Sequence, residues 1–487
     1  VPLRRLSRNP QRRARCRARA RHNESLTLPY ADFRAFLDAL RANGELIDIE
    51  RPVELYLEIG KALRQTAAIG GPALNFKNNG TAFPLVGGLY NTRAKALLAF
   101  ESTEAAVFEK ILGGLAKPIA PVLTQGNAPT HDVVLTGAAA DLTKLPIPTY
   151  SPDDGGPFIT PGIVVSRDPE TGVPDLGHYR FQIMNAGEMS FLAQPFHRFG
   201  KHIVKARKLG MTRYPAAVVF GVDPILAYTC TIQVPDGTND YEIAGGLRGA
   251  PVELVHARTI DLDVPAHSEI VIEFEVDLTK DVLEGPLGEY TGYYTPSSMK
   301  PLARVTAITH RTGAYCQALL TGIPPTENHI LKQLPFEASF FQMMKKSFPT
   351  LHSVSIPPSG GVSFSIVMSL AQRYAGEARH AILAAMSTNL RPKIVTVVDP
   401  DINVQSSAEV EWAVAFRVQP RRDVIIVDDL PAGPLDPSVD DSVPLEARTG
   451  SAIGIDATRP FGQDFQKVAD VPGWQEYDFP ELRARHT

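Results

Sequence analysis

The chain has little thiol chemistry to offer. Cys16, Cys230 and Cys316 are its only three cysteines in 487 residues, odd in number and unclustered. That argues against a disulfide framework and a cysteine-rich zinc centre, and makes a reducing cytoplasm the expected compartment. No run of about 18 uninterrupted apolar residues exists, the length a helix needs to span a bilayer. No GxGxxG or phosphate-loop motif follows a strand-like segment, which disfavours the common nucleotide folds. Internal repeats are absent as well. Acidic residues are missing from positions 1–21, which hold nine arginines, so the rest of the chain sits near −13 against −4 overall. This tail has neither the aromatic residues of a nucleic-acid arm nor the apolar core of a secretory signal. Residues 1–23 therefore read as a basic, disordered extension apart from the chemistry, and neither nucleic acid nor membrane is an expected partner.

What is present is length enough for two or three domains. Phe33, Phe36, Leu37 and Leu40 follow helical spacing, Gly44 ends that helix, and Leu46–Ile49 reads as a strand. Alternating helices and strands make residues 24–120 an α/β domain, closed by the linker Lys117-Pro118-Ile119-Ala120-Pro121. Strands dominate 121–325: Gly162–Arg167, His178–Met184, Ala216–Gly221, Glu269–Leu278 and Ala303–His310. In the fourth, Ile270, Ile272, Phe274, Val276 and Leu278 alternate with mostly acidic residues, predicting one buried face. Such a run of strands favours a closed or partly closed antiparallel barrel. Helices return after Pro335 (Phe336–Ser347, Gly376–Met386), with a strand near Val362–Leu370. Buried strands are expected at Lys393–Val398 and Asp423–Val427 around a helix Ala408–Arg417. Residues 326–487 are thus a second α/β domain, and the whole is α+β.

The stretch that organises the chemistry is Glu284-Gly285-Pro286-Leu287-Gly288-Glu289. Its two carboxylates share neither a helix face nor one side of a strand, so the backbone turns between them and fixes their separation. One acid can stay ionised while the other keeps a proton to donate; a solvated turn with two surface glutamates is the alternative. Upstream, His178, Arg180 and Gln182 fall on one face of a strand. A buried Arg180 needs an acidic partner, and its fork also suits a substrate carboxylate. Asp175, His197 and Glu253 offer oxygen and nitrogen ligands suited to Mn²⁺ or Mg²⁺, although they are scattered in sequence and each, taken singly, fits a surface or capping role better.

Taken together, Asp175-x-Gly177-x-Tyr179-Arg180, Tyr241-Glu-Ile-Ala-Gly-Gly-Leu-Arg-Gly-Ala-Pro-Val-Glu253, the Glu284 to Glu289 turn, Lys393-Ile-Val-Thr-Val-Val-Asp399-Pro-Asp401 and Trp412-Ala-Val-Ala-Phe-Arg417 resemble, in order, the UbiD-type decarboxylases. The similarity spans about residues 30–480. It implies a central flavin-reductase-like split barrel and reversible, non-oxidative decarboxylation of aromatic, heteroaromatic or α,β-unsaturated acids with prenylated FMN. It further implies Arg180, Glu284 and Glu289 as the catalytic network, with Glu289 the proton donor. Mn²⁺ falls to Asp175, His197 and Glu253, with K⁺ nearby on Glu253 and backbone carbonyls. Flavin contacts fall to Thr160, Ile163, Arg180, Gln194, His197, Glu253 and Lys393. A prenyl-FMN synthase is the implied cofactor supplier, and a homodimer or larger homo-oligomer the implied assembly.

Two positions depart from the pattern. Asp175 stands where relatives carry Asn, and the His197 segment lacks the His-Arg-Gly-Gly run of the quinone-pathway branch, which disfavours a polyprenylated hydroxybenzoate. Asn328 falls where some catechol-acid relatives place a histidine, which disfavours a dihydroxybenzoate. The competing readings are an FMN-dependent oxidoreductase on the same barrel and a non-catalytic flavin-binding paralogue.

Overall fold

Asp32 starts the first helix by accepting the Ala35 N–H, and Phe33, Phe36, Leu37 and Leu40 on one face are all buried. The computed structural model describes residues 30–433, 435–440, 442–473 and 477. Residues 30–458 fold as one unit; residues 459–473 belong to a second and carry no helix or strand. The basic segment 1–23 lies outside the described residues. The architecture is α+β: a four-stranded N-terminal sheet, a curled nine-stranded central sheet and a five-stranded C-terminal sheet, each flanked by helices.

The central sheet runs Phe158–Ile159, Phe181–Asn185, Glu188–Phe191, Ser298–His310, Ile270–Glu284, Arg213–Phe220, Ile163–Arg167, Pro174–His178, with Val133–Thr136 paired to Ser298–His310. The expected strand His178–Met184 is broken. Pro174–His178 pairs at one end of the sheet and Phe181–Asn185 near the other, so Tyr179 and Arg180 form the corner joining the two ends. That corner curls the sheet into a half-barrel. Ile270, Ile272, Phe274, Val276 and Leu278 face the core as the alternation predicts. The opposite face is covered too, against expectation. Val271 joins a second core, and buried Glu273 accepts the Arg258 N–H, the Thr259 N–H and the Thr259 hydroxyl, so its charge is satisfied by donors.

The stretch 117–121 carries no helix or strand, and its Ile119 N–H donates to the Glu242 carbonyl. The N-terminal sheet also takes its fourth strand, Cys316–Gln317, from the end of the strand-rich region. Helix Glu327–Ser347 begins well before the expected start and runs through Pro335. Proline there removes the N–H that would serve the Leu331 carbonyl. The Thr231 hydroxyl, 3.1 Å away and shared with the Tyr228 carbonyl, takes its place. In the C-terminal sheet the order is Leu351–Ser355, Ser365–Leu370, Ile394–Val398, Thr449–Ala457, Val424–Pro431. Val424–Pro431 is an edge strand with Ile426 67% exposed, not the buried strand expected. The central place goes to Thr449–Ala457, whose small residues gave no strand signal. Gly454 lies so close under Ile382 that a Cβ there would stand 2.2 Å from it.

Candidate active site

The two acids sit on a turn that other residues hold in place. Glu284 ends the long strand Ile270–Glu284, and Gly285 turns the chain with φ +91°. Gln182, on the strand after the barrel corner, accepts the Gly285 N–H at 2.8 Å and donates to the Gly155 carbonyl at 2.6 Å. Gly155 must lack a side chain, since a Cβ would meet the Gly285 carbonyl oxygen at 2.3 Å. Its N–H donates to the Pro286 carbonyl, and Asp154 accepts the Gly288 N–H at 3.1 Å. The turn between the acids is thus braced on both sides by residues 154–155.

Arg180 lies between the acids. Its Nε and one terminal nitrogen form a fork on Glu284 at 2.9 and 3.0 Å. The other terminal nitrogen donates to Glu289 and, at 3.2 Å, to the Thr295 hydroxyl. Glu284 is fully buried behind the arginine, whereas Glu289 and Arg180 line a cavity of about 280 Å³. Of the two acids, only Glu289 can meet a ligand there. Thr160, Gln194, Leu192, Leu287, Leu319 and Phe196 are also on its walls, and it shares several residues with an adjoining cavity of about 610 Å³. The two joined cavities, lined by polar and apolar side chains alike, give room for a tricyclic flavin ring and its polar chain.

Helix Glu327–Ser347 forms part of the wall, with Asn328 and Lys332 one turn apart on the cleft side. Lys332 was not singled out by sequence, which began the helix only after Pro335. Its ammonium stands 4.4 Å from the Tyr290 ring centroid, and burial lowers its pKa. His329, on the same helix, is fully buried. Its Nδ1 accepts the Thr326 N–H at 3.0 Å, so the proton resides on Nε2 and is donated to the Tyr290 carbonyl at 2.6 Å. The helix thereby grips the residue next to Glu289. Burial pushes the pKa values of His178, His197 and His329 down to about 4, so three neutral imidazoles surround Lys332.

The other site residues are placed unevenly. Thr160, Gln194 and His197 line the cleft, but Ile163 is buried in the core. Asp175 borders the larger cavity together with His197. Its carboxyl lies against Asp240, which sequence reading missed, and Arg198 pairs with both at 2.7 and 2.6 Å. Burial, with Asp240 beside it, raises the Asp175 pKa despite Arg198. Glu253 is not with them. It is half exposed, accepts from His267 at 2.8 Å and lines a different cavity with Asp223 and Arg248, because its strand Glu253–His256 pairs away from the cleft. Lys393 pairs with Asp436 at 3.0 Å and lines a third cavity, one residue removed from the cleft residue Leu435. Among the described residues no three His, Cys, Asp or Glu side chains converge as a metal cluster. The buried Asp175 and Asp240 carboxyls and the neutral His197 nevertheless form a hard oxygen and nitrogen donor set that suits a divalent ion.

Comparison with known proteins agrees with this geometry. The sequence matches the N-terminal, Rift-related and C-terminal domains of 3-octaprenyl-4-hydroxybenzoate carboxy-lyase over residues 37–114, 122–324 and 329–457. An uncharacterised protein of Archaeoglobus fulgidus is 33% identical over 455 residues, 89% of this chain and 92% of that one. The UbiD-class enzyme HmfF from Pelotomaculum thermopropionicum, solved with FMN, is 32% identical with a TM-score of 0.86, covering 92% of this chain and 99% of that one. The 3,4-dihydroxybenzoic acid decarboxylase of Enterobacter cloacae is 26% identical with a TM-score of 0.84, over 93% of this chain and all of that one. With three consecutive domains matched, and the paired acids bracketing an arginine on the wall of the cleft, the chain belongs to the UbiD family of carboxy-lyases.

Proposed function

We propose that this protein catalyses the reversible, non-oxidative decarboxylation of an aromatic, heteroaromatic or α,β-unsaturated carboxylic acid with prenylated FMN, and that Glu289 is the proton donor. The observation that carries the reading is the Glu284–Arg180–Glu289 arrangement, in which one acid is sealed behind the arginine and the other is presented to the cavity. When bound, prenylated FMN supplies the electron sink that loss of CO₂ from an sp² carbon requires. Glu284 fixes the guanidinium plane through its two-pronged contact, and Arg180 in turn holds Glu289 at the cavity wall. Glu289 delivers its carboxyl proton to the carbon that CO₂ has left, and in the carboxylation direction it takes that proton back. Neutral His197 and Asp175, backed by Asp240, are the residues suited to hold Mn²⁺ at a flavin phosphate, with K⁺ alongside; Glu253, turned to another cavity, is not. Large exposed apolar side chains on the C-terminal domain, Phe416 and Ile426 above all, support assembly into a homodimer or larger oligomer. A cytoplasmic location and cofactor supply by a prenyl-FMN synthase complete the reading.

The test is to produce the protein together with a prenyl-flavin synthase and screen a panel of aromatic, heteroaromatic and cinnamic-type acids for CO₂ release. Turnover of one class, with modified flavin seen by mass spectrometry, is expected. Stoichiometric unmodified FMN that turns over NAD(P)H, with no CO₂ from any acid, overturns the reading.

A further inference from the structure

The charges of the cleft do not leave Arg180 free to receive an acid. Two of its nitrogens are spent on Glu284, and the third is divided between Glu289 and Thr295. All three guanidinium nitrogens are engaged and its charge is matched by the Glu284 carboxylate, so an incoming carboxylate needs another cation. Lys332 is that cation. It lines the same cavity as Arg180 and Glu289 and makes no hydrogen bond or ion pair with any described residue. Among the described residues it stands 4.4 Å from the Tyr290 ring centroid and interacts through charge with Glu289, and its ammonium N–H donors have no hydrogen-bond acceptor there. The imidazoles of His178 and His329 near it are buried, which keeps them neutral, so they neither repel nor replace it. With Glu289 carrying the proton it is to donate, the group of Arg180, Glu284, Glu289 and Lys332 bears one net positive charge, the complement of one carboxylate. Burial makes an uncompensated ammonium costly, so the cleft is poised to bind an anion there.

We infer that Lys332 is the substrate-binding residue that holds the carboxylate of the incoming acid, with the Asn328 amide beside it on the same helix face. The inference rests on the decarboxylase reading and adds to it the group that selects for acids. Arg180 then serves to position Glu289 rather than to bind substrate. The flavin phosphate is the other anion that could reach the larger cavity, so the test separates the two.

Purified protein loaded with unmodified FMN, which binds without turning over, is titrated with cinnamate and with cinnamide, then with benzoate and benzamide, by calorimetry. The same titrations are made on Lys332→Met and Lys332→Arg, together with the FMN affinity and melting temperature of each. Wild type is expected to prefer carboxylate to amide by roughly tenfold or more, the range for a charge-assisted hydrogen bond. Lys332→Met should erase that preference while FMN affinity holds, and Lys332→Arg should restore most of it. A preference unchanged in Lys332→Met overturns the inference. Lost FMN affinity with the preference retained assigns the ammonium to the cofactor phosphate instead. If wild type binds no acid of either pair, the decarboxylase reading itself loses its support and the inference goes with it.

Discussion

At the scale of single residues, function depends on which carboxylates see the cleft. Glu253 fitted a metal role only by its place in a motif, and its strand carries it to His267 in another cavity. Glu253→Gln should therefore leave divalent metal content within error of wild type by elemental analysis. Asp175→Ala, which removes a carboxyl from the Asp240 pair, should lower that content severalfold. Equal loss in both variants would return Glu253 to the metal site. The acids at 284 and 289 and their arginine were legible in sequence because a Gly-Pro-Leu-Gly turn between carboxylates has few structural uses. Lys332 and Asp240 were not, because nothing local distinguishes a lysine or aspartate that tertiary contacts bury from one in water. Gly155 is a comparable case, since its lack of a side chain matters only through the Gly285 carbonyl 130 residues away in sequence. Gly155→Ala should displace the acid turn and lower turnover by at least tenfold with cofactor still bound, the order of loss expected from misplacing a catalytic group; unchanged kinetics would show that the turn does not depend on this contact.

At the scale of elements, helix Glu327–Ser347 joins stability to the site. Sequence reading began this helix after Pro335, the ordinary inference from proline, and so missed the turns that carry Asn328, His329 and Lys332. What permits the longer helix is a hydroxyl from a distant loop. Thr231→Val keeps shape but leaves the Leu331 carbonyl without its donor, and should cost about 1 kcal/mol in denaturant unfolding. No change in midpoint would mean that the carbonyl is served otherwise. The long strand Ile270–Glu284 illustrates the opposite case. Its alternation was plain, but the burial of its second face came from neighbours such as Thr259, which sequence could not place.

At the scale of the whole molecule, the α+β class and the strand-rich centre were readable because periodicity is local. The curl of the central sheet was not, since it depends on a corner at Tyr179–Arg180 that joins strands at its two ends. Buried neutral histidines give the molecule a pH signature. The pKa values of His178, His197, His202 and His329 are all pushed down to about 4 by burial, below the unfolded value of about 6.5. Between those values the unfolded chain binds more protons, so stability is complete above pH 6.5 and falls as pH drops toward 4. Each such histidine adds up to about 1.4 kcal/mol per pH unit to the slope. His329→Gln should flatten the dependence by about one proton; a slope identical to wild type would exclude His329 from it. The central claim, that Glu289 supplies the proton, is tested most directly by deuterium incorporation at the vacated carbon when wild type and Glu289→Gln, both loaded with prenylated FMN, are given the accepted acid or its decarboxylated product in D₂O. The account predicts that exchange and CO₂ release fall together by roughly 10²-fold or more in Glu289→Gln, the loss expected when a general acid is removed. Exchange near the wild-type rate in that variant would contradict it.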